Sequence, residues 1–174
     1  MLYQLLSKLL DYPHPELVAA LPELRALLPR DSDLDPGERR VVAEFIANLE
    51  TIPVMEAQAA YVQTFDLTPS HSLHLTHHLF GEEKTRGPAL IDLSEFYKEF
   101  GFELVDDAVN ELPDYLPLIL EFASQLDVEE ARMFLAQWTK VFKQLAGNLE
   151  EAGSPYAPLV RLVEQHSQLV KAAA

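Results

Sequence analysis

The sequence predicts an all-α fold, a single-domain helical bundle of about eight helices, and three observations carry that reading. Apolar residues recur at helical spacing almost throughout, as in the stripe Val41, Val42, Phe45, Ile46 and Leu49. Strict apolar–polar alternation, the mark of half-buried strands, is not evident. Proline and glycine fall between the stripes, at Pro13 to Pro15, Pro29 to Pro36, Pro53, Pro69, Gly81 to Pro88, Gly101, Pro113 and Gly153 to Pro158. These residues divide the chain into short helices. At 174 residues, 48% of them apolar, the chain is long enough to bury one core and too short to require a second domain.

The elements follow in order. Leucines at 2, 5, 6, 9 and 10 repeat as a helix does, and the segment lacks the basic start and cleavage site of a signal peptide. Tyr61, Val62 and Phe65 end a further helical stripe. From Pro113 to Leu126 the apolar residues Leu116, Leu118, Ile119, Leu120, Phe122 and Leu126 cover most of the circumference, so this helix is expected at the centre of the domain. Pro113 suits its first turn; the alternative is a regular helix that begins only at Pro117. Ala131, Phe134, Leu135, Trp138, Val141, Phe142, Leu145 and Leu149 read as one side of a single long helix. A C-terminal helix over about 150–174, with room to be mobile, completes the domain of residues 1–174.

Composition narrows the function. The formal charge of −15 repels nucleic acid phosphates and anionic headgroups and favours basic partners. Without cysteine there are no disulfides, thiolate metal sites or cysteine nucleophiles. No run approaches the ~18 apolar residues of a membrane span, and a cytoplasmic protein is expected.

Catalytic motifs are missing. There is no G-x-G-x-x-G, G-x-S-x-G or H-E-x-x-H, and Gly81 to Gly87 runs into Pro88 where a phosphate loop needs Lys and Ser or Thr. Asp31, Asp33 and Asp35 have calcium-loop spacing, but Pro36 and Val42 stand where such a loop requires glycine and glutamate. His71, His74, His77 and His78 include an i, i+3, i+7 set that would share a face if the segment were helical. Neutral imidazoles there suit zinc, copper or nickel, with Asp66, Glu82 or Glu83 to complete a site; the plainer reading is surface or groove-lining histidines. Asp114 and Glu121 lie seven apart near one helical face, where paired carboxylates could exchange protons; the stronger reading places Asp114 in a first helical turn, where the helix dipole favours a carboxylate regardless of function.

Three strings then matter together: Tyr61-Val-Gln-Thr-Phe-Asp66, His78-Leu-Phe-Gly-Glu82 with Arg86-Gly87, and Glu111-Leu-Pro-Asp-Tyr-Leu-Pro-Leu-Ile-Leu-Glu-Phe122. In this order and spacing the chain resembles the NarJ family of nitrate reductase assembly chaperones, relatives of the TorD and DmsD chaperones, from the N-terminal helix to about Leu149. The resemblance implies a TorD-like all-helical fold, a cytoplasmic protein, no catalytic turnover, and no cofactor or metal of its own. It implies a partner, the N-terminal segment of the nitrate reductase catalytic (alpha) subunit, held for molybdenum cofactor insertion before membrane attachment. It also implies a monomer or a domain-swapped dimer. The alternative client is another molybdoenzyme with a full twin-arginine signal; a reading of a different class is a histidine-cluster metal-binding protein.

Family signature positions fall on Phe65, Asp66, His78, Gly81, Glu82, Arg86, Gly87, Pro113, Asp114, Leu116, Pro117, Leu118 and Glu121. Tyr115 departs from the histidine common after the Pro-Asp pair. An amphipathic peptide laid in a groove buries apolar anchors and leaves basic residues at the rim. Expected apolar contacts are Phe65, Leu75, Leu79, Leu118 and Phe122, with charge from Asp66, Glu82, Asp114 and Glu121 and further lining from His71, His78, Arg86 and Tyr115. Each has a core or cap alternative.

Overall fold

The computed structural model describes residues 2–30, 34–81, 83–103 and 111–168. Asp31, Asp33 and Glu82, singled out above, lie outside them. Among the described residues there are ten α-helices and no strand: α1 (Leu2–Leu9), α2 (Pro15–Leu27), α3 (Pro36–Glu50), α4 (Val54–Tyr61), α5 (Leu75–Phe80), α6 (Arg86–Glu99), α7 (Leu116–Ala123), α8 (Val128–Ala136), α9 (Thr139–Glu151) and α10 (Ala157–Ser167). Ten rather than about eight arise because one predicted helix is two and short helices flank the central region.

Local chemistry sets the ends. Asp35 and Asp127 each accept from the backbone N–H three residues on, and Glu38 and Glu130 reach back to close reciprocal capping boxes at the starts of α3 and α8. At the end of α9, Gly153 adopts φ 65°, which lets Ser154 N–H reach Leu149 O at 2.9 Å and Gly153 N–H reach Glu150 O at 3.0 Å. This left-handed cap satisfies carbonyls that the helix leaves open. It also stops α9 at Glu151; α10 follows at Ala157–Ser167, and 169–174 of the expected C-terminal helix lie outside the described residues.

The stripe from Ala131 to Leu149 is one apolar face carried across two helices. Gln137 and Trp138 form a turn, with Trp138 at φ −102° and ψ 1°, and the phase resumes in α9. Phe134, Leu135, Val141, Phe142, Leu145 and Leu149 are all buried.

Helix α7 is central, as its circumference requires: Leu116, Ile119, Leu120 and Phe122 are fully buried. Burial of such side chains contributes roughly 1.5–3 kcal/mol each. It packs along α1, where Ser7 Oγ–H donates to Pro117 O at 2.7 Å, while α10 lies along α9 and contacts α8 and α3. The helix begins at Leu116 with Pro117 inside its first turn, so neither Pro113 nor Pro117 is its first residue. Pro113 and Asp114 instead form a turn ahead of it.

Candidate functional site

The segment before α5 and the segment before α7 are joined by a short antiparallel bridge. Leu75 N–H donates to Asp114 O at 3.0 Å and Leu116 N–H to Leu73 O at 2.8 Å, which pairs His74 with Tyr115. The bridge draws the histidine-rich connection onto the Pro-Asp-Tyr turn.

At its centre is Asp114, with 0% of its surface exposed. Its Oδ2 accepts from Thr76 N–H at 2.9 Å and Thr76 Oγ1–H at 2.5 Å, and its Oδ1 lies 3.3 Å from His74 Nδ1. Arg86, the first residue of α6, donates from Nε to Thr76 Oγ1 at 2.9 Å and places Nη2 3.6 Å from Asp114 Oδ2. Burial opposes ionisation of Asp114 and is the largest single influence, but the His74 hydrogen bond and the two from Thr76 outweigh it and hold the carboxyl below its usual range. The carboxylate is therefore enclosed and saturated by this chain's own donors. Expected as rim charge for a partner, it serves as a junction between α5, α6 and α7, and it is not in a helical first turn.

Tyr115 points the other way. Its hydroxyl lies 2.7 Å from that of Tyr61 and 3.0 Å from Asp11 Oδ1, and Tyr61 Oη is 3.0 Å from Leu10 O. Burial, first of all, pushes both phenols up, so both stay protonated at ordinary pH. Adjacent residues 114 and 115 thus tie the α5–α6 connection and the end of α1 to one point.

Of the expected apolar contacts, Phe65, Leu75 and Phe122 are core residues at 4%, 0% and 0% exposure, out of reach of a peptide docked on this conformation. The Phe65 ring packs tilted against Tyr61 and edge-to-face against Tyr156, and Phe122 tilted against Tyr97 and edge-to-face against Phe134. Leu79 is 54% exposed and Leu118 half-buried, so these two remain accessible. Asp66 is exposed and Glu121 half-buried. Because Asp114 precedes α7, the seven-residue relation to Glu121 on one helix does not hold.

The histidines do not share a helical face. His71 ends a 3-10 turn (Pro69–His71), His74 precedes α5, and only His77 and His78 lie in it. His71 Nδ1 is 3.1 Å from Thr64 O and His78 Nε2 2.7 Å from Ser72 O. Burial, against that second hydrogen bond, lowers the His78 pKa. Among the described residues no three His, Asp or Glu side chains converge as metal ligands.

Sequence reasoning missed Thr76, Asp11 and Tyr97. Tyr97 Oη–H, from α6, donates to Pro113 O at 2.7 Å. Nothing in the local pattern marks these positions, because their partners lie 16 to 104 residues away. Acids gather nearby, Glu111 and Asp66 exposed and Asp11 half-buried: partial burial pushes the Glu111 carboxyl up, His74 opposes this, and the Asp11 and Asp66 carboxylates add to it. Leu67 and Leu112 are exposed in the same sequence neighbourhoods.

The architecture defines the class first. A protein from Archaeoglobus fulgidus described as a redox enzyme maturation protein superposes with a TM-score of 0.59, covering 94% of this chain and 90% of that one. At 20% identity the shared property is the all-helical fold. The sequence then places the chain within that class: residues 31–161 match the family described as nitrate reductase delta subunit, and the chain belongs to it. It is 34% identical to the nitrate reductase molybdenum cofactor assembly chaperone NarJ of Bacillus subtilis, over 92% of this chain and 85% of that protein. With NarJ of Escherichia coli K12 it shares 33% identity over 91% of this chain and 66% of the relative. No helix among the described residues is long and apolar enough to cross a membrane.

Proposed function

We propose that this chain is a cytoplasmic assembly chaperone that binds the N-terminal segment of a nitrate reductase catalytic subunit and holds that subunit for molybdenum cofactor insertion before membrane attachment. The observation that carries the reading is identity of 34% with a NarJ chaperone along 92% of the chain. The chaperone has no turnover and no cofactor of its own; it assists loading of its client.

Physical features support a peptide partner of basic, amphipathic character. The net charge of −15 attracts it over a distance, and Asp66 and Glu111 stand beside exposed Leu67 and Leu112, offering charge and apolar contact together. Leu79 and Leu118 extend the accessible apolar surface on the α5 and α7 sides. The saturated Asp114 shapes this surface from beneath rather than pairing with the client.

Calorimetry with a synthetic peptide of the client's N-terminal segment tests the reading. Saturable binding is expected, weakening with salt because exposed charges are screened over ~8 Å at physiological ionic strength. Absence of binding, with the full-length subunit also failing to co-purify, would reject it.

A further inference from the structure

Helix α6 is held differently from its neighbours. Over fourteen residues it buries only Leu93 and Tyr97 and leaves Ile91 exposed; besides α5 it meets α7 and α8 through two side chains, Phe96 and Tyr97, whose rings lie against Phe122 and Phe134. Two polar tethers fix it: Arg86 to the Thr76–Asp114 pair at its start, and the Tyr97 hydroxyl to Pro113 O near its end. Both tethers land on the turn that precedes α7.

Each end of its connection carries a glycine in a conformation that other residues resist. Gly81, with φ 55°, closes α5 before it. Gly101, with φ 73°, closes α6 itself, where Gly101 N–H reaches Lys98 O at 2.9 Å and Phe102 N–H reaches Tyr97 O at 3.0 Å. Among the described residues no neighbouring atom would meet a Cβ at either glycine, so the positive φ alone restricts what can stand there.

Beneath α6 lies an aromatic layer. The Phe96 ring stacks on Phe134 at 5.6 Å between centroids and 5° between planes, and Tyr97 meets Phe122 at 4.6 Å. Among the described residues the seam is open at one end. A cleft of about 230 Å³ remains between Phe100 and Phe102 on one side and Phe122, Leu126 and Glu130 on the other.

We propose that α6 is a hinged cover over the Phe122–Phe134 layer, and that an apolar client segment binds by taking its place there. This rests on the peptide-chaperone reading and adds to it a two-state element. It accounts for Phe122, singled out by the sequence as a contact yet enclosed in the closed form. The client contributes apolar side chains to the aromatic layer, and Glu130 at the edge of the cleft accepts its basic residues. The Arg86 and Tyr97 tethers set how much of the population is open. A variant that weakens a tether without touching the aromatic layer therefore raises affinity, because less free energy is spent on opening.

Hydrogen exchange of the full chain, read by segment, tests the cover without any client. Amides of α6 are expected to exchange at least about ten-fold faster than those of α9 and α10, which lie along each other. Tyr97→Phe, which removes the hydroxyl bond to Pro113, is expected to speed α6 roughly five-fold further and leave α9 and α10 unchanged. Gly101→Ala acts independently through backbone strain at φ 73° and is expected to do the same. Protection of α6 equal to that of α9, or a uniform acceleration of all helices in both variants, would overturn the cover.

Calorimetry of the two variants with the synthetic client peptide reads the second half. The expected result is tighter binding than wild type, by a factor no larger than the gain in exchange. Unchanged or weaker binding by variants whose α6 has opened overturns the occupant. Absence of peptide binding by the wild type, with α6 exchange as expected, instead rejects the chaperone reading and the occupant with it.

Discussion

Asp114 and Thr76 form a close polar junction at the candidate site: one carboxylate oxygen receives both the backbone N–H and the hydroxyl of Thr76, at 2.9 and 2.5 Å. The two residues are 38 positions apart, and the hydroxyl that donates to Asp114 in turn accepts from Arg86. Position 114 is therefore structural before it is functional.

Asp114→Asn should retain the fold and lose about 1–3 kcal/mol of stability, since the buried site keeps its shape but gives up charge-assisted hydrogen bonds. Urea unfolding measures the loss. Thr76→Val should lose a comparable amount, and the double variant less than the sum, because both act on one junction. Additive losses would dissolve the junction.

The acid limb of stability should show two steps. Asp114 has a folded pKa below its unfolded value, so its contribution is present above about 3.9, the unfolded value, and is lost as pH falls through the folded one. His78 also titrates lower in the folded state, because burial disfavours its charged form. The unfolded chain therefore takes up the proton first, and stability falls as pH drops below about 6.5 towards the folded value. Chemical denaturation across pH should show the upper step vanish in His78→Gln and the lower step shrink in Asp114→Asn.

The tyrosine pair should behave as one unit. Tyr61→Phe and Tyr115→Phe each remove a hydroxyl from the chain that joins Asp11 and Leu10 O, at an expected cost of about 1–2 kcal/mol. A double-mutant cycle should give a coupling of at least about 0.5 kcal/mol. Zero coupling would mean that the 2.7 Å contact contributes nothing.

Two leucines four apart on α5 should part company. Leu75→Ala empties a fully buried position and should destabilise by about 2–5 kcal/mol. Leu79→Ala, at 54% exposure, should change stability by less than about 0.5 kcal/mol while weakening client binding. Thermal unfolding paired with peptide titration reads both, and a normal affinity in Leu79→Ala would remove that residue from the docking surface.

The helical bundle was legible because apolar spacing and proline–glycine punctuation are local, and Gly101 and Gly153 stop helices as their φ values of 73° and 65° require. The break at Gln137 and Trp138 was hidden, since neither residue ends a helix by chemistry and the apolar phase continues across it. Asp114 was marked as a site residue from family strings, but its burial depends on donors from α5 and α6 that no spacing reveals. Phe65, Leu75 and Phe122 show the same difficulty: a large apolar residue reads identically whether it faces a core or a groove.

Titration of the wild-type chain with the client's N-terminal peptide bears most directly on the central claim. Saturable binding to one site per chain, weakened by salt and retained in part at high salt, is the predicted result. No saturable binding, together with failure of the intact catalytic subunit to co-purify, would contradict it.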